Sequence, residues 1–499
     1  MFEKQTSYRQ IMKATSLFGG VQIFNIIITI IRSKFIAVLL GPLGMGIAGL
    51  LTSTTSFIGG LTNFGLGTSA VRDISEAHAT GNKERIILVV SVFRKLVWAT
   101  GLLGTILTII LSPLLSQITF GNKDYTIAFI LISITLLINQ VSSAQSELLR
   151  GMRQLRYMAK SNVIGSLIGL LTTIPLYYVY GIKGIVPAII IASATALLLS
   201  WYFAKKLNIK SIKVTNRQSI AEGKSMLHLG FMISLSGLIT LGASYIVRIF
   251  ISNTGGVDQV GLYNAGFALV NTYVGLVFTA MSTDYYPRLS AVAGDNHKCR
   301  LVINQQAEVA ILILGPIITA FIIFIHWIII LLYSNKFLAI DEMINYAALG
   351  TLFKAASWSI AFIFLAKGTA LLYFWNELIT NIYLLGFNVI GYYFGGLTGL
   401  GISFLTAYFI YLLQVYFVSK IRFEFNFTSE LFKIFGVQLF LAVIAFMLIK
   451  FIGGVYAYLF GSLVIIVSAI YSFYELDKRI GIKQLVKKIL AQESETKKA

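Results

Sequence analysis

The chain has 499 residues, of which 57% are hydrophobic and only 12% charged, with six prolines and one cysteine, and its mean hydropathy is +0.81. That balance excludes a soluble globular protein, and the lone Cys299 excludes an intrachain disulfide. A net charge of +20 would suit a nucleic-acid partner in a soluble chain, but its distribution along the loops assigns it elsewhere. Alternation at period two is absent and the apolar runs are too long for barrel strands, so the spans are helices.

The basic leader Lys4, Arg9 and Lys13 precedes an apolar segment too long for a signal peptide, and no small-residue cleavage site follows, so the first helix is expected to stay uncleaved. Spans are expected near 14–40, 46–70, 86–116, 125–149, 161–180 and 184–204. A second set falls near 226–252, 260–283, 306–332, 342–366, 371–394 and 397–418, and two more near 434–452 and 455–474. The fold class is therefore an all-α polytopic membrane protein of about 14 transmembrane helices. Its organisation reads as an N-lobe (1–204), a basic cytoplasmic linker (205–225), a C-lobe (226–420), an extra helix pair (421–474) and a basic tail (475–499). In that tail, Ile480, Ile482, Leu485, Val486, Ile489 and Leu490 among lysines fit either a helix lying on the inner leaflet or a solvated end.

The two sets of six repeat one another. Arg248 follows Arg32 by 216 residues and Arg288 follows Arg72 by 216. Asn122-Lys123 matches Asn335-Lys336 at 213, Arg150-Gly151 matches Lys367-Gly368 at 217, and Gly181 and Gly184 match Gly396 and Gly399 at 215. Periods this long in a membrane protein mean two structural halves with a binding site between them. Lys and Arg count the topology. About 32 of the 40 lie in the N-terminus, the tail and the loops after even-numbered spans, against only Lys123, Lys183, Lys336 and Lys450 on the other side. Both termini are therefore expected in the cytoplasm, and six spans per half give the halves one orientation, related by an axis along the membrane normal. Most of the positive charge is topology and attraction to anionic lipid, with no nucleic acid required.

Four basic residues remain inside spans: Arg32, Lys34, Arg248 and Lys354. At 100° per residue Gln22, Asn25, Thr29 and Arg32 share a narrow sector of the first helix, while Ile23, Ile27, Ile30 and Ile31 point elsewhere. A charge at membrane depth costs at least about 2.5 kcal/mol, so Arg32 is expected to face a hydrated, protein-lined cavity. Arg248 shares a face with Ser244, and Lys354 is mid-span beside Thr351 and Ser357. Deep acids are few. Glu377 is the one within reach of a cavity, and Asp284 is a further charge partner nearer the cytoplasm. A cationic chamber prefers an anion. The plainer alternatives are that Arg248 and Lys34 snorkel to an interface and that Lys354 pairs with Glu377. Asn264, Asn271, Gly275 and Ser282 form one polar face and Gln140, Ser143, Glu147 and Arg150 another; such faces hydrogen-bond a sugar or glue helices together. Four scattered histidines and the lack of a phosphate-cradling loop give no sign of an enzyme, a catalytic residue, a metal site or a cofactor.

These residues resemble the polysaccharide flippases of the multidrug/oligosaccharidyl-lipid/polysaccharide (MOP) exporter superfamily, particularly the O-antigen and enterobacterial-common-antigen lipid translocases, the second of which are lipid III flippases. The matching stretches are LLGPLGMGIAGL (39–50), FGNKDY (120–125), NVIGSLIGL (162–170), YYPRLS (285–290), SNKF (334–337), LGTLFKAA (349–356), FLAKGTALLYF (364–374) and WNEL (375–378). The resemblance covers roughly residues 10–420. It implies a flippase in the bacterial inner membrane for an undecaprenyl-pyrophosphate-linked oligosaccharide, with two six-helix lobes forming a V and alternating access. Membrane lipids and other polysaccharide-assembly proteins are the implied partners. On the same basis Arg32, Lys354, Arg248 and Lys34 would engage the pyrophosphate, with Glu377 as charge partner; Asn25 and Asn271, from the polar helix faces, are the further candidate substrate-binding residues. The helices after 434 depart from the twelve typical of such translocases and match the fourteen of lipid II flippases, which keeps a lipid II-type flippase open as an alternative. A MATE-like multidrug/cation antiporter is the other, although its chemistry wants carboxylates in the cavity.

Overall fold

A computed structural model describes residues 2–209 and 212–481. Its helices are α1 (Phe2–Thr62), α2 (Leu66–Ala79), α3 (Lys83–Phe120), α4 (Thr126–Gly151), α5 (Leu155–Tyr180), α6 (Ile185–Lys205) and α7 (Asn216–Gly255), followed by α8 (Val257–Ala268), α9 (Leu276–Ala291), α10 (Asn296–Leu332), α11 (Asp341–Ala366), α12 (Ala370–Phe423), α13 (Ser429–Met447) and α14 (Gly454–Ile480). No strand occurs among the described residues. The tail from Ile482, expected as a surface helix or a solvated end, lies outside them.

The starts of the helices are written locally. Asn82 caps α3 by accepting from the Arg85 amide, Thr215 and Gln218 form a capping box on α7, and Thr428 caps α13 through the Leu431 amide. Among the described residues, eleven stretches are long and apolar enough to cross a membrane. Three of these run 39, 51 and 54 residues, about 58–80 Å of helix against about 30 Å of hydrocarbon, so each makes two crossings. The breaks fall at Gly41 (φ 65°), at the turn Gly181–Gly184, and at Gly396 (φ 54°). Across the last break the chain doubles back, since Ser403 donates to the Phe387 carbonyl at 2.6 Å and Gln414 to Asn376 Oδ1 at 2.7 Å. The described residues thus make fourteen crossings in a multi-pass membrane protein.

The backbone carries the duplication with a tighter register than the residue types do. Left-handed glycines recur at Gly41 and Gly256, and at Gly181 and Gly396, each pair 215 apart. The turns after α4 and α11 close alike, with Gln154 N on Leu149 O at 2.8 Å and Thr369 N on Phe364 O at 3.0 Å. Their left-handed residues are Arg153 (φ 56°) and Gly368 (φ 69°). The backbone therefore pairs Arg153 with Gly368 at 215, where residue matching pairs Gly151 with Gly368 at 217. The same register separates Arg32 from Arg248. Arg32 lies nine residues before Gly41 and Arg248 eight before Gly256, so the second arginine points about 100° around its helix from the first.

Packing divides the chain into two units, residues 1–264 with 332–336, and 265–331 with 337–499. In the first, α2, α3 and α4 bury Leu66, Ile74, Phe93 and Leu148, and α7 packs along α1, α2 and α3. In the second, α9 to α12 bury Tyr285, Ile360, Phe364 and Val415. Cys299 belongs to this core. It lies in the first turn of α10, buried, with Sγ directed at the Val292 carbonyl at 3.3 Å, because the helix begins at Asn296 and turns it inward.

Helices α13 and α14 are fastened to the second unit by polar contacts. Gln438 is fully buried, donates to Ser472 Oγ at 2.8 Å and accepts from Ser468 Oγ at 2.6 Å. Gly315 of α10 leaves the room that this amide fills. At the other end Arg479 meets Glu308 at 2.7 Å. Interhelical hydrogen bonds in lipid average about 0.6 kcal/mol and reach about 1.7. Replacing Gln438 by Ala strands two buried serines, and a fall of the melting temperature by a few degrees in detergent is expected for the variant.

Candidate functional site

Each unit holds a polar cavity lined by membrane-spanning helices. In the first, a cavity of about 360 Å³ lies among α1, α4, α5 and α6, with Arg32 and Asn25 on its α1 wall and Ser142, Ser146, Asn162 and Ser166 opposite. Arg32 Nη2 donates to Thr173 Oγ1 at 3.2 Å. Asn25 Oδ1 accepts from Ser166 Oγ at 2.8 Å. No acidic side chain lines this cavity, and no ion pair reaches Arg32 among the described residues. The guanidinium thus keeps most of its five donors for something else. Of the polar stripe on the first helix, Asn25 and Arg32 face the cavity. Gln22 and Thr29 are exposed, Thr29 turning back onto the Asn25 carbonyl at 2.7 Å.

In the second unit a cavity of about 340 Å³ lies among α11 and the two arms of α12, lined by Lys354, Ser357, Trp358, Glu377, Tyr408 and Tyr411 among others. Lys354 Nζ donates to Asn271 Oδ1 at 3.0 Å and lies 5.1 Å from the Tyr408 ring, 5.7 Å from Phe404 and 5.8 Å from Phe278. Three ring faces give this ammonium cation–π partners. Glu377 Oε1 accepts from the Tyr411 hydroxyl at 3.4 Å. Lys354 and Glu377 share the cavity without forming an ion pair. Asn271 owes its position to a π-helical turn, Leu269–Val274, a local widening common at functional sites.

The two cavities are one cavity duplicated. At the backbone offset of 215, Ser142 corresponds to Ser357, Ser146 to Ala361, Asn162 to Glu377, Gly165 to Thr380 and Ala196 to Tyr411, and all ten residues line their respective cavities. The first copy is walled by serine, glycine, alanine and asparagine and holds a guanidinium with no acidic side chain beside it. The second is walled by aromatic rings and holds a caged ammonium beside a carboxylate.

The other sequence-derived candidates are engaged by protein. Arg248 Nε donates to Asn264 Oδ1 at 2.9 Å, its Nη1 to the Ser244 carbonyl at 2.9 Å and to Ser244 Oγ, and its guanidinium lies 5.5 Å from the Tyr263 ring. Lys34 Nζ donates to the Tyr333 carbonyl at 2.7 Å. Asp284 is exposed and lies 3.8 Å from Arg288. Gln140 serves as helix glue, donating to Thr100 of α3 at 3.3 Å. Thr173, Ser166, Asn162, Tyr408 and Tyr411 escaped the sequence reading. The 215-residue register, applied to Glu377, would have found Asn162.

Residues 35–342 match the family model described as polysaccharide biosynthesis protein. The chain is similar to the lipid III flippase of Escherichia coli (strain K12), 23% identical over 353 residues, which cover 69% of this chain and 82% of that protein. Among solved structures it shares its fold with the lipid II flippase MurJ in an inward closed conformation (TM-score 0.72, 14% identity, 94% of this chain and 99% of that one). It shares it also with an inward-facing multidrug resistance MATE family transporter of the MOP superfamily (TM-score 0.67, 17% identity, 83% and 96%).

Proposed function

Because the chain belongs to the polysaccharide biosynthesis protein family, we propose that it is a flippase carrying an undecaprenyl-pyrophosphate-linked oligosaccharide from the inner to the outer leaflet of the bacterial cytoplasmic membrane. The observation that carries this reading is Arg32, a cation at membrane depth in a cavity without a counter-charge. An ion moved into low dielectric costs several kcal/mol unless it is paired, so the cavity is built for a ligand that brings negative charge. A diphosphate brings it on a headgroup small enough for the serine-walled pocket. The prenyl chain stays in lipid.

In this reading the repeats, residues 1–204 and 226–420, expose the cavity alternately to the two sides, with both termini in the cytoplasm where the basic loops hold them. The second cavity, with Tyr408, Tyr411 and Trp358 on its wall, offers aromatic faces and the Glu377 carboxylate to sugar hydroxyls. Transport of an organic cation is disfavoured at the same place, because the Lys354 ammonium already occupies the ring cage.

Removing the gene from its own host tests the proposal. An undecaprenyl-linked glycan should accumulate on the cytoplasmic face and its polymer disappear from the cell surface, both restored by the wild-type gene. Unchanged surface glycan and no lipid-linked intermediate would refute it.

A further inference from the structure

A different cavity in the first unit, about 700 Å³, is walled by Arg94 and Trp98 of α3, Gln145 of α4, and Trp201 and Lys205 of α6. We propose that it holds the phosphate headgroup of an anionic phospholipid of the inner leaflet. Arg94 Nε is buried and, among the described residues, meets no hydrogen-bond partner, and none of the described residues lining the cavity is acidic. Lys205 Nζ adds a second positive charge, 5.1 Å from the Trp201 ring. A buried guanidinium nitrogen left unpaired keeps its full desolvation cost, which an anion removes.

The surroundings select a lipid over a soluble anion. Trp98 and Trp201 are each 52% exposed, and indoles of this kind settle at the level of lipid headgroups. Leu102, Leu198 and Tyr202 extend the exposed apolar surface beside them. Basic pockets between membrane helices on the cytoplasmic side are the usual seats of anionic headgroups.

The second repeat shows what such a pocket looks like when filled. Tyr416 and Lys420 stand 215 residues after Trp201 and Lys205, with Lys420 Nζ 5.8 Å from the Tyr416 ring. There Phe427 stacks on Tyr416 with centroids 5.1 Å apart and planes 8° from parallel, and Arg300 donates to the Asn426 carbonyl at 3.1 Å. The chain fills its own pocket. In the first repeat Trp201 stacks on no aromatic ring among the described residues, and its basic neighbours face the cavity.

The test uses the full-length protein in detergent with dioleoylphosphatidylglycerol or dioleoylphosphatidylcholine as probe, and reads bound lipid by native mass spectrometry. Wild type should retain the glycerol lipid in preference to the choline lipid. Arg94→Gln should lower that retention about tenfold, the scale of one charge-assisted hydrogen bond. Lys205→Gln and Trp201→Leu should each lower it less, and Lys420→Gln, in the filled pocket, should leave it unchanged. Excess inorganic phosphate should compete weakly; complete displacement by it would show a soluble-anion site and overturn the lipid assignment. Displacement by farnesyl diphosphate but not by the glycerol lipid would move the pocket to the transported lipid and overturn it equally. Equal retention of both lipids, or no loss in Arg94→Gln, would end it. Should Arg94→Gln fail to give a monodisperse protein, Lys205→Gln with Trp201→Leu decides by the same readout.

Discussion

Arg32→Ala is expected to lower export of the lipid-linked glycan by about 10- to 100-fold while the protein inserts and accumulates normally. The range follows from one charge-assisted hydrogen-bond set, about 1.5–3 kcal/mol, at 1.4 kcal/mol per factor of ten. Among the described residues Arg32 makes one hydrogen bond, to Thr173, so little of the fold depends on it and the loss falls on the ligand. Arg32→Lys should recover part of the activity, since it restores the charge but not the paired donors that suit a diphosphate. Arg248→Ala should behave differently. Its guanidinium is tied to Asn264, Ser244 and Tyr263, and its removal leaves Asn264 without a donor, so protein yield and melting temperature should fall with export. Surface glycan normalised to membrane protein, with the melting temperature of each variant, separates the two. Wild-type export from Arg32→Ala would remove the first cavity from the mechanism.

Much of this was readable from residue types alone. The polar sector of the first helix survives in the fold at Asn25 and Arg32, because helical periodicity in an apolar run leaves a polar residue few places to go. The fourteen crossings were likewise written in hydropathy. What the sequence blurred was register. Arg32 and Arg248 match in type at 216 and invite the same role, yet the turn glycines Gly41 and Gly256 set the offset at 215, and one residue is 100° on a helix. Arg248 accordingly meets Asn264 in place of a cavity. Lys354 was visible as a mid-span charge, and the fold-back of α12 at Gly396 falls between the spans expected at 371–394 and 397–418, but the ring cage also depends on the π-turn at Leu269–Val274, which has no signature in spacing. The pairing of Asn162 with Glu377 was hidden for the opposite reason, since an amide and a carboxylate separated by the register look unrelated until the backbone aligns them.

Gly46→Val or Gly261→Val should stop export as completely as the loss of Arg32, through conformation in place of binding. These two glycines are 215 residues apart and meet across the duplication. A Cβ on Gly46 would strike the backbone carbonyl of Val257, with the Val257 carbon at 2.9 Å, and a Cβ on Gly261 would strike that of Pro42, with the Pro42 carbon at 2.7 Å. Pro42 and Val257 are themselves 215 apart, so the contact is reciprocal. Backbone groups cannot swing aside as a flexible side chain does, and any side chain here forces the two turns apart. If export requires this contact to form and break, valine holds it broken and the cycle stalls with one side permanently open. Spin labels at the equivalent positions Leu43 and Asp258, in a variant lacking Cys299, report the separation. Wild type should give a population at short distance that Gly46→Val abolishes and Gly46→Ala reduces, with export falling in the same order. Short distances retained in Gly46→Val together with normal export would show that the contact has no part in transport. Short distances retained with export lost would place the defect in binding.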